Sequence, residues 1–230
     1  MRKFFALLGA AALGVSVANA ADMPAKMPVK AQIVAPAYNW TGFYIGAAGG
    51  WGWGRTNHTD LTAPPFDRGP WNIDGGILGG TVGYNWQMSQ WVFGVEGDGS
   101  WAHIHKDFLG VACATGLCFT DIRALGTFRA RAGIAMNNWL FYATGGGAVA
   151  DVRAGIYGCA PVSCISDTTR WGWTAGAGAE WGFAPQWSAK LEYLYVDLGN
   201  KVNYSTGFDN TVSVTSSIVR GGINYHFRPM

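Results

Sequence analysis

Three sets of side chains in this sequence are of types that can do chemistry. Glu96 and Asp98 stand two residues apart, the spacing that puts two carboxylates on one face of a β-strand, where a pair can divide acid and base roles. His103 and His105 form an HxH motif close to Ser100, a combination that invites metal ligation or nucleophilic chemistry. Four cysteines fall in two tight pairs, Cys113 and Cys118 in CATGLC and Cys159 and Cys164 in CAPVSC. What surrounds each set decides between chemistry and structure.

The surroundings alternate. In NWTGFYIGAAGGWGWG, residues 39 to 54, one face carries Phe43, Ile45, Ala47, Gly49, Trp51 and Trp53, and the other Gly42, Tyr44, Gly46, Ala48, Gly50, Gly52 and Gly54. One face is greasy and the other mostly small, a period-two pattern that predicts a strand. The same period predicts eight strands, at about 40 to 54, 75 to 87, 90 to 105, 120 to 136, 139 to 153, 168 to 184, 187 to 199 and 211 to 227. Met88-Ser89, Asn137-Asn138 and Pro185-Gln186 read as tight turns. The connections at about 55 to 74, 106 to 119, 154 to 167 and 200 to 210 are long and polar. Short and long connections therefore alternate strictly, as they do in an antiparallel barrel with turns at one end and loops at the other.

Composition restricts the surroundings further. Charged residues are 13% of the chain against 14% aromatic, with 34 glycines and 12 tryptophans, far less charge than a water-soluble domain of this length carries. Arg2 and Lys3 precede an apolar run from Phe4 to Val17 and the small-x-small Ala18-Asn19-Ala20, which predicts a cleaved signal peptide over residues 1–20. Without Arg2 and Lys3 the 16 basic residues fall to 14, level with the 14 acidic ones, so no nucleic-acid partner is expected. After the signal no stretch reaches the roughly 18 consecutive apolar residues of a membrane helix. An exported apolar chain without such helices points to the other spanning solution, a closed β-barrel. Residues 21–39, with three prolines, read as a flexible periplasmic lead-in, and 40–230 as one barrel domain.

Tryptophan spacing tests this independently. Trp91 and Trp101, like Trp171 and Trp181, are ten residues apart with equal parity. Ten tilted strand residues rise roughly 26 Å, close to the height of a lipid-facing band. Amphipathic rings prefer the two edges of that band.

The chain resembles a known family, the small alpha-proteobacterial outer-membrane proteins of the RopB kind within the wider OmpA-like eight-stranded barrel group. The resemblance rests on WTGFYIGAAGGWGWG opening the first strand, on GTVGYNW in the second and on the closing INYHF. It implies a cell outer-membrane location and contact with outer-membrane lipid and lipopolysaccharide. It further implies insertion by the barrel-assembly machinery, a role in envelope integrity, and a surface ligand or host contact. Barrels of this group end in an aromatic residue that the machinery reads. Here Tyr225 and Phe227 fill that role, although Arg228-Pro229-Met230 follow.

A plugged structural barrel is therefore expected, with a narrow porin-like channel or a lipid-modifying enzyme as the alternatives. Glu96, Asp98, Arg129, Arg131, Glu180, Lys190, Glu192 and Arg220 all oppose the lipid-facing parity of their strands. Four acids and four bases in a narrow lumen read as ion pairs rather than a catalytic set. His103 and His105 lack a third ligand nearby in sequence and read as rim residues; His58 and His226 read as isolated. No catalytic residue, cofactor or metal site is expected. The cysteines, in an oxidising compartment, suggest one disulfide within each loop, with a cross-loop link open as the alternative. A non-reducing peptide map is expected to show Cys113 joined to Cys118 and Cys159 to Cys164; free thiols or a Cys113 to Cys159 peptide would reject that pairing.

Overall fold

Period-two segments joined in sequence can satisfy their backbones in an apolar solvent only by closing into a ring, and the ring forms. The computed structural model describes residues 38–60, 66–109, 117–156, 165–199 and 210–227. They make eight strands: β1 (Gly42–Asp60), β2 (Phe66–Met88), β3 (Trp91–Leu109), β4 (Leu117–Met136), β5 (Trp139–Ile156), β6 (Ile165–Ala184), β7 (Trp187–Asp197) and β8 (Asn210–Phe227). Each pairs antiparallel with its sequence neighbours, and β8 returns to β1 from Phe43↔Phe227 to Asp60↔Asn210. The fold is a closed eight-stranded antiparallel barrel.

Seven strands overrun the expected bounds at the long-connection end, while β7 stops at Asp197, two residues short of its expected bound. Residues expected in the first loop pair in the ladder, Arg55 with Asn72 and Asn57 with Pro70. The ladder pairing continues there where the sequence no longer alternates, so the sequence period stops marking the strand. At the other end the first turn is Ser89-Gln90, one residue later than expected. Ser89 and Asn137 each open their turn at positive φ, 57° and 55°, which suits the twist of a tight hairpin. The second residue of every short turn then fastens to a neighbouring strand: Gln90, Asn138 and Gln186 carbonyls accept from the amides of Ala135, Gly182 and His226 at 2.7, 2.8 and 2.8 Å.

The two faces differ as the parity requires. Outwards stand the aromatics, with Trp101 and Trp171 each 78% exposed and Trp51, Trp86, Trp91, Trp139, Trp181 and Phe227 about half so. Inwards the lumen is filled in three layers. An apolar layer including Ile73, Ile104, Ile122, Leu194, Val214 and Ile218 occupies the long-connection end. Charged side chains fill the middle, and Tyr38, Trp40, Val92, Leu140 and Tyr142 close the short-turn end.

Tyr38 and Trp40 correct an expectation. The sequence places Tyr38 in the flexible lead-in and Trp40 in the first strand, yet both precede β1 and are buried in the barrel mouth. The Trp40 amide donates to Gln87 Oε1 at 2.8 Å and the Gln87 amide to Thr41 Oγ1 at 3.0 Å. The Tyr38 ring lies against the backbone of Gly182, where any side chain would collide with it. Residues 1–37, with the expected signal peptide, lie outside the described residues.

Inward glycine on β1 makes room for its neighbours. A Cβ at Gly52 would meet Ile104 Cδ1 at 2.9 Å and Ile218 Cγ1 at 3.5 Å, whereas one at lipid-facing Gly99 would meet nothing within 4 Å. Gly52→Val is therefore expected to destabilise the barrel by about 1–3 kcal/mol through overpacking, and Gly99→Ala to leave it unchanged. Urea unfolding in lipid vesicles measures both; equal midpoints would show that the lumen is slack at Gly52.

Candidate functional site

The alternation of β3, β4, β6, β7 and β8 aims the eight expected charges into the lumen, and strand order brings them within reach of one another. Glu96 lies opposite Arg129, Glu180 opposite Lys190 and Glu192 opposite Arg220 in the ladder. All eight are buried, with Arg129 and Glu180 fully so.

Arg129 is the hub. It pairs with Glu96, with Asp98 at 2.9 Å and with Glu192 at 3.0 Å. Arg220 bridges Asp98 at 2.9 Å and Glu192 at 2.7 Å from the far side. Arg131 takes Glu180 at 2.8 Å, and Lys190 takes Glu96 at 3.1 Å. Four acids and four bases thus leave the layer formally neutral. Such a layer is stable only if the remaining lone pairs and N–H groups also find partners.

Uncharged side chains supply partners to the carboxylates, while Nε of Arg129 and Nε of Arg131 find none among the described residues. Tyr44 donates to Glu96 at 2.7 Å, Thr127 to Asp98 at 2.5 Å and Tyr142 to Glu192 at 3.2 Å. Glu180 accepts from Ser188 at 2.5 Å and Asn224 at 2.7 Å. The Arg131 guanidinium lies over the Tyr142 ring at 4.4 Å. None of these helpers stood out in the sequence, because a lone Tyr, Ser or Asn at inward parity looks like any other filler; parity combined with a polar tip was the signal available. Arg170 of β6, also buried, was missed although its charge and its parity, shared with Glu180, are the signal that marked the other eight.

His226, isolated in the sequence, is not isolated in the barrel. The β6-β7-β8 order brings its Nε2 to 3.4 Å from Glu180 Oε1 and 2.9 Å from Ser188 Oγ, and its ring packs edge-on against Tyr38 and Trp40. Ser, His and Glu meet here without forming a catalytic triad. Serine and carboxylate both approach the same nitrogen, where a triad needs the acid on the other one.

The remaining candidates stand apart. Ser100 is buried in the lumen while His103 is exposed outside, so the wall separates them. The rings of His103 and His105 lie 6.4 Å apart, and among the described residues no group of three or more His, Cys, Asp or Glu could hold a metal. Glu96 and Asp98 spend every carboxylate oxygen on lumenal partners. Cys113, Cys159 and Cys164 lie outside the described residues; Cys118, expected in a loop, belongs to the β4 ladder between Phe108 and Ile156. His58 extends the β1 ladder opposite Val212. Tyr225 and Phe227 end β8 in the short-turn girdle, their rings 5.0 Å apart and next to Trp187 and Phe43.

A closed ring of strands, greasy and aromatic-belted outside and charge-filled inside, is a transmembrane barrel of the bacterial outer membrane. The chain belongs to the family described as the outer membrane protein beta-barrel domain, which it matches over residues 6–227. It is 33% identical to the 31 kDa outer-membrane immunogenic protein of Brucella melitensis, across 96% of this chain and 94% of that one. It is 32% identical to the 25 kDa outer-membrane immunogenic protein of Brucella abortus, across 98% of each. With the 22 kDa outer membrane protein of Rhizobium leguminosarum it shares 32% identity across 76% and 75% of the two chains. The expected alpha-proteobacterial kinship and outer-membrane location are thereby shown.

Removing one partner of a buried ion pair strands the other without compensation. Arg129→Ala leaves Glu96, Asp98 and Glu192 each short of a partner and is expected to destabilise the barrel by roughly 3–5 kcal/mol. Unfolding midpoints in vesicles test this. A midpoint unchanged from the parent would mean that the carboxylates are solvated and the layer contributes nothing.

Proposed function

We propose that this protein is a structural, surface-exposed barrel of the outer membrane that contributes to envelope integrity and does not act as a solute pore or an enzyme. One observation carries the reading: the charge layer lies between two packed layers, so side chains fill the lumen along its length. An eight-stranded barrel has an interior only wide enough for such filling. The alternative of a narrow porin-like channel requires a continuous wet path, which Ile104, Arg129 and Trp40 interrupt at three heights. The lipid-modifying alternative requires serine, histidine and acid together on the outer rim, and Ser100 and His103 are on opposite faces.

In this reading the protein works through its surfaces. Its belts engage outer-membrane lipid and lipopolysaccharide, the Tyr225 and Phe227 end serves recognition by the barrel-assembly machinery, and the long-connection end meets the exterior, where a surface ligand or host contact would act. The Brucella relatives are named as immunogenic outer-membrane proteins, which supports exposure of that end. In planar bilayers the purified protein is expected to give no stable conductance steps, and Arg129→Ala combined with Trp40→Ala to give measurable leakage. Porin-sized steps from the parent protein would sink the plugged-barrel reading.

A further inference from the structure

Two register shifts meet on the outer wall. Between β3 and β4 the ladder runs from Trp101↔Ala124 to Ile104↔Ile122, and between β4 and β5 from Ala124↔Asp151 to Ile122↔Val152. Arg123 is the extra residue in the second, and in the first it stands alone opposite two β3 residues, Ala102 and His103. A bulge re-aims a side chain, and here Ile122 and Leu125 stay buried while Arg123 and Ala124 are exposed outside.

The position of Arg123 is what matters. Trp101 marks the long-connection edge of the lipid-facing band, and Arg123 lies one residue beyond Trp101's partner Ala124. An outward cation is costly at the bilayer centre but tolerated at that edge. Its ion pair with Asp121 is long, 3.6 Å, and uses only Nε, which leaves both terminal nitrogens uncommitted among the described residues. His103 lies beside it on the same exposed face.

Below the two basic groups the wall is apolar. Leu78 and Trp101 are cross-strand partners, 64% and 78% exposed. The next rung pairs His103 with Gly76, whose absent side chain leaves a hollow; a Cβ there would meet only Trp51, at 3.9 Å. The result is a shallow groove of about 510 Å³ with Arg123 and His103 at its polar end.

We propose that this groove binds a phosphorylated, acylated lipid of the outer leaflet. The phosphate sits on Arg123 and His103, and an acyl chain lies along Leu78 and Trp101. Guanidinium groups grip phosphate through paired hydrogen bonds, and the apolar floor begins at the depth where an acyl chain would leave its headgroup. A single amphiphile of this chemistry satisfies both halves; lipid A is the outer-leaflet candidate. The site rests on the outer-membrane placement of the barrel and not on the closed lumen, since none of these residues faces inwards.

The test is native mass spectrometry of the folded full-length protein in detergent micelles, titrated with bisphosphorylated lipid A, with the same lipid dephosphorylated, and with inorganic phosphate. The parent is expected to retain one bisphosphorylated lipid A, Arg123→Ala to weaken retention at least tenfold, Arg123→Lys to keep part of it, and the outward control Arg55→Ala to keep all of it. Gly76→Leu fills the groove without altering charge and is expected to weaken binding as well. The gel shift between unheated and heated samples reports folding of each variant, and if Arg123→Ala fails to fold, the Lys and Gly76 variants carry the test. Equal retention by parent, Arg123→Ala and Gly76→Leu would overturn the proposal. So would equal retention of the dephosphorylated lipid, or full displacement by inorganic phosphate, which would reduce the site to a simple anion contact.

Discussion

Everything in this molecule depends on the seam where β8 returns to β1. A bilayer offers no water to an unpaired amide or carbonyl, so an open edge would cost several kcal/mol for each group left bare. The seam removes that edge along the full length of β1, from Phe43 to Asp60. Closure at eight strands then sets the bore, and the bore sets what can fill it. Glycine at inward positions of β1 is the counterpart of isoleucine arriving from β3 and β8, and the charged middle is the counterpart of a lumen too narrow to hold bulk water.

Charges in that middle solve a problem that arises before folding. An all-apolar filling would pack as well, yet it would merge with the greasy outer parity into continuous apolar runs of the length that a membrane helix needs. Placing Glu96, Asp98, Arg129 and Arg131 at inward positions keeps β3 and β4 broken by charge while they are still unpaired; β1, β2 and β5 are broken by glycine and polar residues instead. Once the ring closes, those charges neutralise one another. The same residues therefore serve export and packing, provided that acids and bases are balanced.

Strand number, topology and face were legible in the sequence because lipid outside and filler inside impose a period of two on almost every residue between about 40 and 227. Parity alone placed all eight charged residues in the lumen. Three things were not legible. The outer ladders, such as Asn57 with Pro70, continue the pairing where the sequence carries no alternation to mark it. Tyr38 and Trp40 lie outside any strand, and nothing in their local sequence says that they fold back into the mouth. Bulges also break the parity that made the rest readable, so the outward aim of Arg123 and the approach of His226 to Glu180 are products of register and strand adjacency that only coordinates reveal.

The seating of Trp40 has a consequence for how this barrel could be rebuilt. Its ring lies against His226, one residue before the end of β8, so the stopper at the short-turn mouth joins the residues that flank the first and the last strand. A circular permutant opened at one of the three tight turns would keep all eight strands in their order around the ring. Its new linker, however, would have to join ahead of Tyr38, so that Tyr38 and Trp40 keep their seats in the mouth. A shorter linker that replaced residues 38–41 with a tight turn would close the ring and leave its mouth without the stopper.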